Sequence, residues 1–390
     1  MRVIVNTLSC AALALIVCFA CQSPSTRAAE PQEDQAAKAE FDFELLNVPD
    51  DKDVAFYRER LEDIQKALSE RDKFDEETWN RIDAGLPDAY LVISGRLSED
   101  PEASPDERAE HFEMHTSLLA RKLGVETLSK MLDEEKAKSE PDEMRVDVLS
   151  IKLFATKIGD ANDKKDAQAL RALADELVER ATTSRRFAME ASSFCELFLD
   201  CDRELGLETF DRIIEKASKS EDETIKRVGE SMVGKKRFAS LVGEEMVFEG
   251  LDLEGKEIDW NSYRGKVVLV DFFATWCGPY MGEVPNLLKN FEKYHEAGFD
   301  IVSYSVDRDL AALRNYETKS KHPWKTVSRQ LSMEEKNDKG EPKYTNLSVY
   351  YGINAIPQMI LVGKDGKVIE TDVRGARLGE LLKEQFPDVK

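Results

Sequence analysis

The sequence predicts two unlike folded parts: an all-α region over residues 42–240 and an α/β domain over residues 241–390. Three observations carry this division. Apolar residues recur at helical spacing from about Val54 to Phe238. Past Lys235-Lys236-Arg237 that pattern gives way to short apolar runs bounded by glycine and turn residues. Those runs then alternate with helical stretches, in an order that builds a central mixed sheet flanked by helices.

The first residues read as an export signal. Arg2 is the only basic residue ahead of an apolar stretch from about Ala11 to Ala20, which is too short for a membrane span. Val17-Cys18-Phe19-Ala20-Cys21 resembles a bacterial lipoprotein box, with Cys21 as the lipidated residue and residues 1–21 as signal. Cleavage near Ala28-Ala29, or an uncleaved anchor, are the alternatives. Each places the folded part outside the cytoplasm, in the cell envelope or periplasm. Residues 22–41 are rich in Ala, Glu, Pro, Ser and Gln without periodicity, and read as a flexible tether.

Several helical stripes follow. Tyr57, Leu61, Ile64 and Leu68 share one face. Leu118, Leu119, Leu123 and Val125 continue the pattern, as do Leu170, Leu173, Leu177 and Ala181, then Phe210, Ile213, Ile214 and Ala217. Breaks are expected at Gly85-Leu86-Pro87, Pro101 to Pro105, Pro141 and Gly159-Asp160. Asp106-Glu107 after Pro105 suits a helix N-terminus. In the α/β part, Met246 to Phe248 and Gly250 to Ile258 read as strands and turns. Val267 to Phe273 is a buried-strand run, and a helix follows from Tyr280 to about His295. Ile301 to Val306 is a second strand, and Leu310 to Thr318 a second helix. Met359 to Val362 turns through Lys364-Asp365-Gly366-Lys367 into Val368-Ile369, and a last helix spans about Leu378 to Gln385.

The chain of 390 residues carries 55 basic and 77 acidic side chains, a net charge of −22. That balance argues against nucleic acid or an anionic membrane surface as the main partner. Six cysteines occur; Cys10, Cys18 and Cys21 belong to the signal region, leaving Cys195, Cys201 and Cys277. An odd remainder in an exported chain suggests a free or exchangeable thiol. On one continuous helix the six-residue separation of Cys195 and Cys201 turns them to different faces, about 9 Å apart along the axis, which forbids a bridge. A break near Asp200 would permit a disulfide, and a third reading makes one of them a resolving partner for Cys277. Buried free thiols are the favoured reading. His111 and His115 lie four apart on one helix face, but no third metal ligand is evident.

The chemistry-bearing stretch is Trp276-Cys277-Gly278-Pro279-Tyr280. A helix beginning near Gly278 places Cys277 at a helix N-terminus, where unpaired N–H groups favour a thiolate nucleophile. Trp276 is expected to pack across the turn and limit water access. Tyr280 covers the thiol, donates a hydrogen bond to it, or fills space. This turn, its approach Ala274-Thr275, and the order of strands and helices resemble the thioredoxin superfamily, most of all the extracytoplasmic TlpA-like thiol–disulfide oxidoreductases. The likeness covers about Val242 to Val389. It includes Asp271 six residues before Cys277, Glu283 and Pro285 on the active-site helix, Tyr351 to Pro357, and the turn Asp365-Gly366.

That resemblance implies a cis bond between Ile356 and Pro357 beside the thiol, with a groove for an extended client peptide. It implies proton exchange through a buried Asp271, whose alternative is a structural hydrogen-bonding role. Glu283 either tunes Cys277 or is solvated, the latter favoured. The departure is Tyr280, which stands where the family carries its second, resolving cysteine. Peroxidases of this fold carry Pro-x-x-x-Thr-x-x-Cys, and here Val270 and Ala274 occupy the Pro and Thr positions. The expected activity is therefore single-cysteine disulfide exchange or isomerisation; a redox-inactive binding module is the alternative. Expected partners are exported proteins with thiols or disulfides, and a thiol reductant or membrane electron donor. No cofactor is expected, and membrane contact is expected only through a lipid anchor.

Overall fold

The computed structural model describes residues 41–69 and 74–389. The signal, the tether up to residue 40, and Cys21 lie outside the described residues. The chain divides into two compact units, one ending at Ile93 and the other running from Ser94 to Lys390. The change of element type near residue 240 therefore falls inside the second unit.

In the first unit, α1 (Val54–Leu68) is capped by Asp53, whose carboxylate accepts from Phe56 N. Its predicted stripe buries Tyr57 and Ile64. Phe41 was expected at the end of the tether, yet it is 3% exposed and packs edge-on against Phe43 and Phe74. The next helix, α2 (Glu76–Leu97), runs straight through the expected break at Pro87. Proline removes one backbone donor, but Ile82, Leu86, Ala89, Tyr90 and Ile93 recur at helical spacing and are all buried, so packing of that face outweighs the lost bond.

In the second unit six helices stack in sequence before the sheet. The first five are α3 (Pro105–Lys136, kinked at Gly124, where φ is +71°), α4 (Glu143–Asp163), α5 (Ala167–Thr183), α6 (Arg185–Cys201) and α7 (Arg203–Ser218). The breaks at Pro101 to Pro105 and at Pro141 are present. Ser104 and Glu107 form a reciprocal capping box around Pro105, an arrangement that contributes about 1 kcal/mol. The break expected at Gly159 is absent, because Phe154, Ile158 and Ala161 carry the buried face of α4 across it. Phe154, Phe187 and Phe194 form an aromatic cluster at the centre of the stack, and Phe198, Phe210 and Met232 extend the same core. A sixth helix, α8 (Glu223–Ala239), closes the stack and leads into the α/β domain.

That domain is a six-stranded mixed sheet, β1 (Leu251–Asp252), β2 (Val267–Phe273), β3 (Phe299–Ser305), β4 (Lys325–Ser328), β5 (Gln358–Val362) and β6 (Val368–Thr371). Its spatial order is β1-β4-β3-β2-β5-β6; β2, β3 and β4 are parallel, β1 is antiparallel to β4, β5 to β2 and β6 to β5. Sequence reasoning missed β4, since Lys325-Thr326-Val327-Ser328 carries one strongly apolar residue. The expected strand at Met246 to Phe248 is instead irregular chain that buries Met246 and Phe248 against the sheet without joining its ladder. The packing elements are α9 (Gly278–Tyr294), α10 (Leu310–Ser320), α11 (Arg329–Glu334), α12 (Leu347–Tyr350) and α13 (Ala376–Gln385). No described helix is long and apolar enough to cross a membrane.

All seven residues of β2 are buried. Alternation sends Val267, Leu269 and Phe273 into one core with α9 and α13, and Val268, Val270 and Phe272 into the other. Asp271 shares the parity of Leu269 and Phe273, so its carboxylate enters the core beneath α9.

Candidate active site

Cys277 is the N-cap residue of α9, with Gly278 and Pro279 opening the helix. Pro279 fits there because the first helical N–H groups have no intrahelical partner to lose. The turn is tied down on both sides. Cys277 N donates to Ala274 O at 3.1 Å, and Met281 N to Cys277 O at 3.2 Å. Asp307, just past β3, accepts from Thr275 N at 3.0 Å, from Thr275 Oγ1 at 2.8 Å and from Ser305 Oγ at 2.8 Å. Sequence reasoning missed Asp307, because nothing local marks a single aspartate after a strand as the latch of a loop thirty residues earlier.

The sulfur faces a second segment. Ile356 and Pro357 are joined by a cis peptide bond, and Cys277 Sγ lies 3.5 Å from Ile356 O. Cys277 itself is 6% exposed. Trp276 does not pack across the turn. It is 72% exposed and stands out beside the thiol, because the interior is already filled from below.

Tyr280 supplies that filling. It is fully buried, and its ring lies 4.5 Å from that of Phe273. Its hydroxyl points inward and makes no well-formed hydrogen bond. Burial, then the Asp271 and Tyr316 groups nearby, push its phenol far above the ordinary range. Of the three expected roles, the structure supports space-filling.

Asp271 is completely buried, and burial pushes its carboxyl up to about 7. Ser303 Oγ donates to Asp271 Oδ2 at 3.2 Å, following from the register that sets Ser303 opposite Asp271. Asp271 Oδ1 has no partner. The Ser303 hydrogen bond holds the acid down, while Glu283 pushes it up. His322 stacks on Trp324 with ring centres 4.6 Å apart, and its Nε2 lies 3.2 Å from Glu317 Oε1.

Glu283 is half-buried and does not bond the thiol. Its Oε2 accepts from Gly375 N at 3.1 Å and Asn286 Nδ2 at 3.2 Å, capping the start of α13. Cys195 and Cys201 are free thiols on the continuous helix α6, so the break that a bridge requires does not exist. Cys195 is fully buried, and burial followed by the Glu196 charge pushes its thiol up. Cys201 is half-buried and is pushed up by burial and by Asp200, Asp163 and Asp202. His111 and His115 share α3, and among the described residues no group of three or more His, Cys, Asp or Glu is placed to hold a metal.

Two predictions arise from this geometry. Cys277 and residue 280 stand at the N-cap and third position of one helical turn, within reach of a disulfide. Tyr280→Cys therefore oxidises to an internal disulfide, read by mass spectrometry as a loss of two hydrogens on the peptide. The vacated ring space lowers the stability of its reduced form by about 2–4 kcal/mol. A variant that stays reduced under oxidant, or keeps wild-type stability, contradicts the geometry.

The second concerns Asp271. Between about pH 4 and about pH 7 the folded acid keeps a proton that the unfolded chain has released, so stability falls as pH rises through that window. Asp271→Asn removes this cost. It is more stable than wild type at pH 8 by an amount on the order of 2–4 kcal/mol, read as a higher unfolding temperature, and the gap closes towards pH 4. Parallel stability curves for the two proteins would show that Asp271 does not titrate in this range.

A thioredoxin-like family model matches residues 265–368. The thiol-disulfide oxidoreductase ResA of Bacillus thuringiensis is 32% identical over 138 residues, covering 35% of this chain and 72% of that protein. Human nucleoredoxin is 30% identical over 135 residues, which cover 34% of this chain and 28% of that protein. The thioredoxin domain of a thiol-disulfide oxidoreductase from Bacteroides vulgatus is similar at 27% identity and a TM-score of 0.32, over 37% of this chain and 96% of that structure. Through its C-terminal domain, this chain belongs to the ResA-like family of thioredoxin-fold thiol–disulfide oxidoreductases.

Proposed function

We propose that the protein is a cell-envelope thiol–disulfide exchange protein acting through the single sulfur of Cys277. The observation that carries this reading is the placement of Cys277 Sγ at a helix N-cap, 3.5 Å from the Ile356 carbonyl. A helix N-terminus stabilises developing negative charge on sulfur. A client chain lying beside Ile356 and Trp276 brings its disulfide to that sulfur, and Trp276 offers exposed apolar surface for the client's side chains.

The steps balance without a second cysteine in the turn. The Cys277 thiolate attacks one sulfur of a client disulfide, forming a Cys277–client disulfide and releasing the other client sulfur as thiolate. A thiolate from elsewhere in the client, or from a small-molecule thiol, then attacks the client sulfur of that mixed disulfide. Cys277 leaves as thiolate. When the attacking thiol belongs to the client, bonds are reshuffled with no net oxidation. When it is external, the client is left in a mixed disulfide that a second external thiol reduces. Asp271, near neutrality in its titration, serves as a buried proton acceptor and donor below the site. Exported proteins are the clients, a thiol reductant or a membrane electron donor restores the system, and Cys21 carries the lipid anchor.

One observation favours a second reading, a binding module without turnover. Cys277 is 6% exposed, and its thiol faces a carbonyl, an arrangement that covers the sulfur. Turnover separates the two. The purified full chain is offered a scrambled disulfide substrate with glutathione, beside a Cys277→Ser control. Exchange at the control's rate would leave only the binding module.

Thiol selectivity provides a further check. Limited alkylation of the reduced native protein at neutral pH, followed by peptide mapping, places label first on Cys277. Cys195 is enclosed in the helical core, and Cys201 sits among three carboxylates that disfavour its thiolate. Earlier labelling of Cys195 or Cys201 would remove Cys277 as the reactive site.

A further inference from the structure

The last helix of the helical stack reaches the loop that faces the thiol. Gly234 on α8 and Gly352 in the 351–357 loop meet backbone to backbone. A Cβ on Gly234 would fall 2.6 Å from Gly352 N and 2.6 Å from Val349 O. A Cβ on Gly352 would collide with Lys235 N, and Gly352 also holds φ at +61°. Two positions without side chains thus oppose each other at a distance that any Cβ would prevent.

Side chains around this contact lock it from both directions. The Arg237 guanidinium lies 3.7 Å from the centre of the Tyr350 ring and donates to the Tyr350 carbonyl, so the arginine is both stacked and bonded. Phe238 packs on the same core as Tyr351, Ile353 and Ile356. Behind this contact, α8 is fastened to the stack: Lys235 Nζ donates to Ser192 Oγ on α6 at 2.6 Å, and Lys236 Nζ to Asp211 on α7 at 2.5 Å. The loop itself has little slack. Ile353 N donates to Ser348 O at 2.7 Å, and the Tyr351 hydroxyl bonds both Val247 N and Val247 O. Ile356, whose carbonyl faces Cys277 Sγ, follows four residues after Gly352.

We infer that α8 is a positioning element of the thiol site, with Gly234, Gly352 and Arg237 setting where the Ile356 carbonyl stands relative to Cys277. These residues do not touch the reacting sulfur. They act through Ile356, because a close-packed contact transmits a displacement rather than absorbing it. The helical region thereby controls how far Cys277 is covered and where a client strand registers beside it. The consequence for turnover rests on the exchange reading above, whereas the mechanical coupling does not.

The test uses the reduced full chain and iodoacetamide as probe, with labelling rates of Cys277 and Cys195 read by peptide mass spectrometry. Three variants are compared: Gly234→Ala, Arg237→Ala and Gly229→Ala. Gly229 lies on the same helix, but its Cβ would meet Ala217 Cβ at 2.6 Å inside the helical stack, away from the loop. Gly234→Ala and Arg237→Ala are expected to raise the Cys277 rate by about threefold or more, while Cys195 stays protected. Gly229→Ala is expected to lower thermal stability without changing the Cys277 rate. An unchanged Cys277 rate in folded Gly234→Ala and Arg237→Ala overturns the inference. So does an equal rise in all three variants, which would mark general loosening. If Gly234→Ala does not fold, Arg237→Ala against Gly229→Ala decides. Absence of Cys277-dependent turnover in the wild type would sink the exchange reading, and the alkylation rates would still decide the coupling.

Discussion

Complete burial of β2 is the constraint from which the site is built. A strand covered on both faces must pair on both edges, and β2 does so with β3 and β5. Its end then emerges at a fixed point, where the chain turns into α9 with Cys277 as the cap. The neighbouring β5 brings Ile356 and Pro357 to the same end of the sheet, since Phe272 pairs with Gln358. The thiol and the carbonyl that faces it are consequences of one strand register. Asp307 adds the latch that holds the intervening turn to the end of β3.

The same strand carries an acid inward by parity alone. Asp271 cannot leave the core beneath α9 without shifting every residue of β2 to the opposite face. The tyrosine above it fills the helix–sheet space with a ring that packs on Phe273. Two buried polar ends, Asp271 Oδ1 and the Tyr280 hydroxyl, then face a region where neither forms a good hydrogen bond. Such groups are costly in a well-packed interior. They are compatible with an acid that takes up a proton near neutral pH, a condition in which a carboxyl group becomes a donor as well as an acceptor.

The helical stack and the sheet are not two beads on a string. Paired glycines bring α8 onto the loop that precedes β5, and Arg237 holds the contact through Tyr350. A domain boundary drawn at the change from helix to strand would pass through this seam. A helix packed that closely constrains the loop as part of the same unit.

Much of this was legible in residues. The run Val267 to Phe273, the turn at Cys277 and the Ile356–Pro357 segment were readable because apolar runs, glycine and proline impose local conformations wherever they occur. The division into helical and α/β parts followed from the change in apolar period. The weaker elements were hidden by the same physics: β4 has too few apolar residues to stand out, and Pro87 and Gly159 mimic breaks that burial overrides. What only the tertiary structure decided were matters of direction and proximity. Trp276 faces out, Tyr280 faces in, Glu283 caps α13 and Asp307 holds Thr275. Each depends on which distant segment occupies the adjoining space, and that is set by packing between elements, to which the local sequence period carries no record.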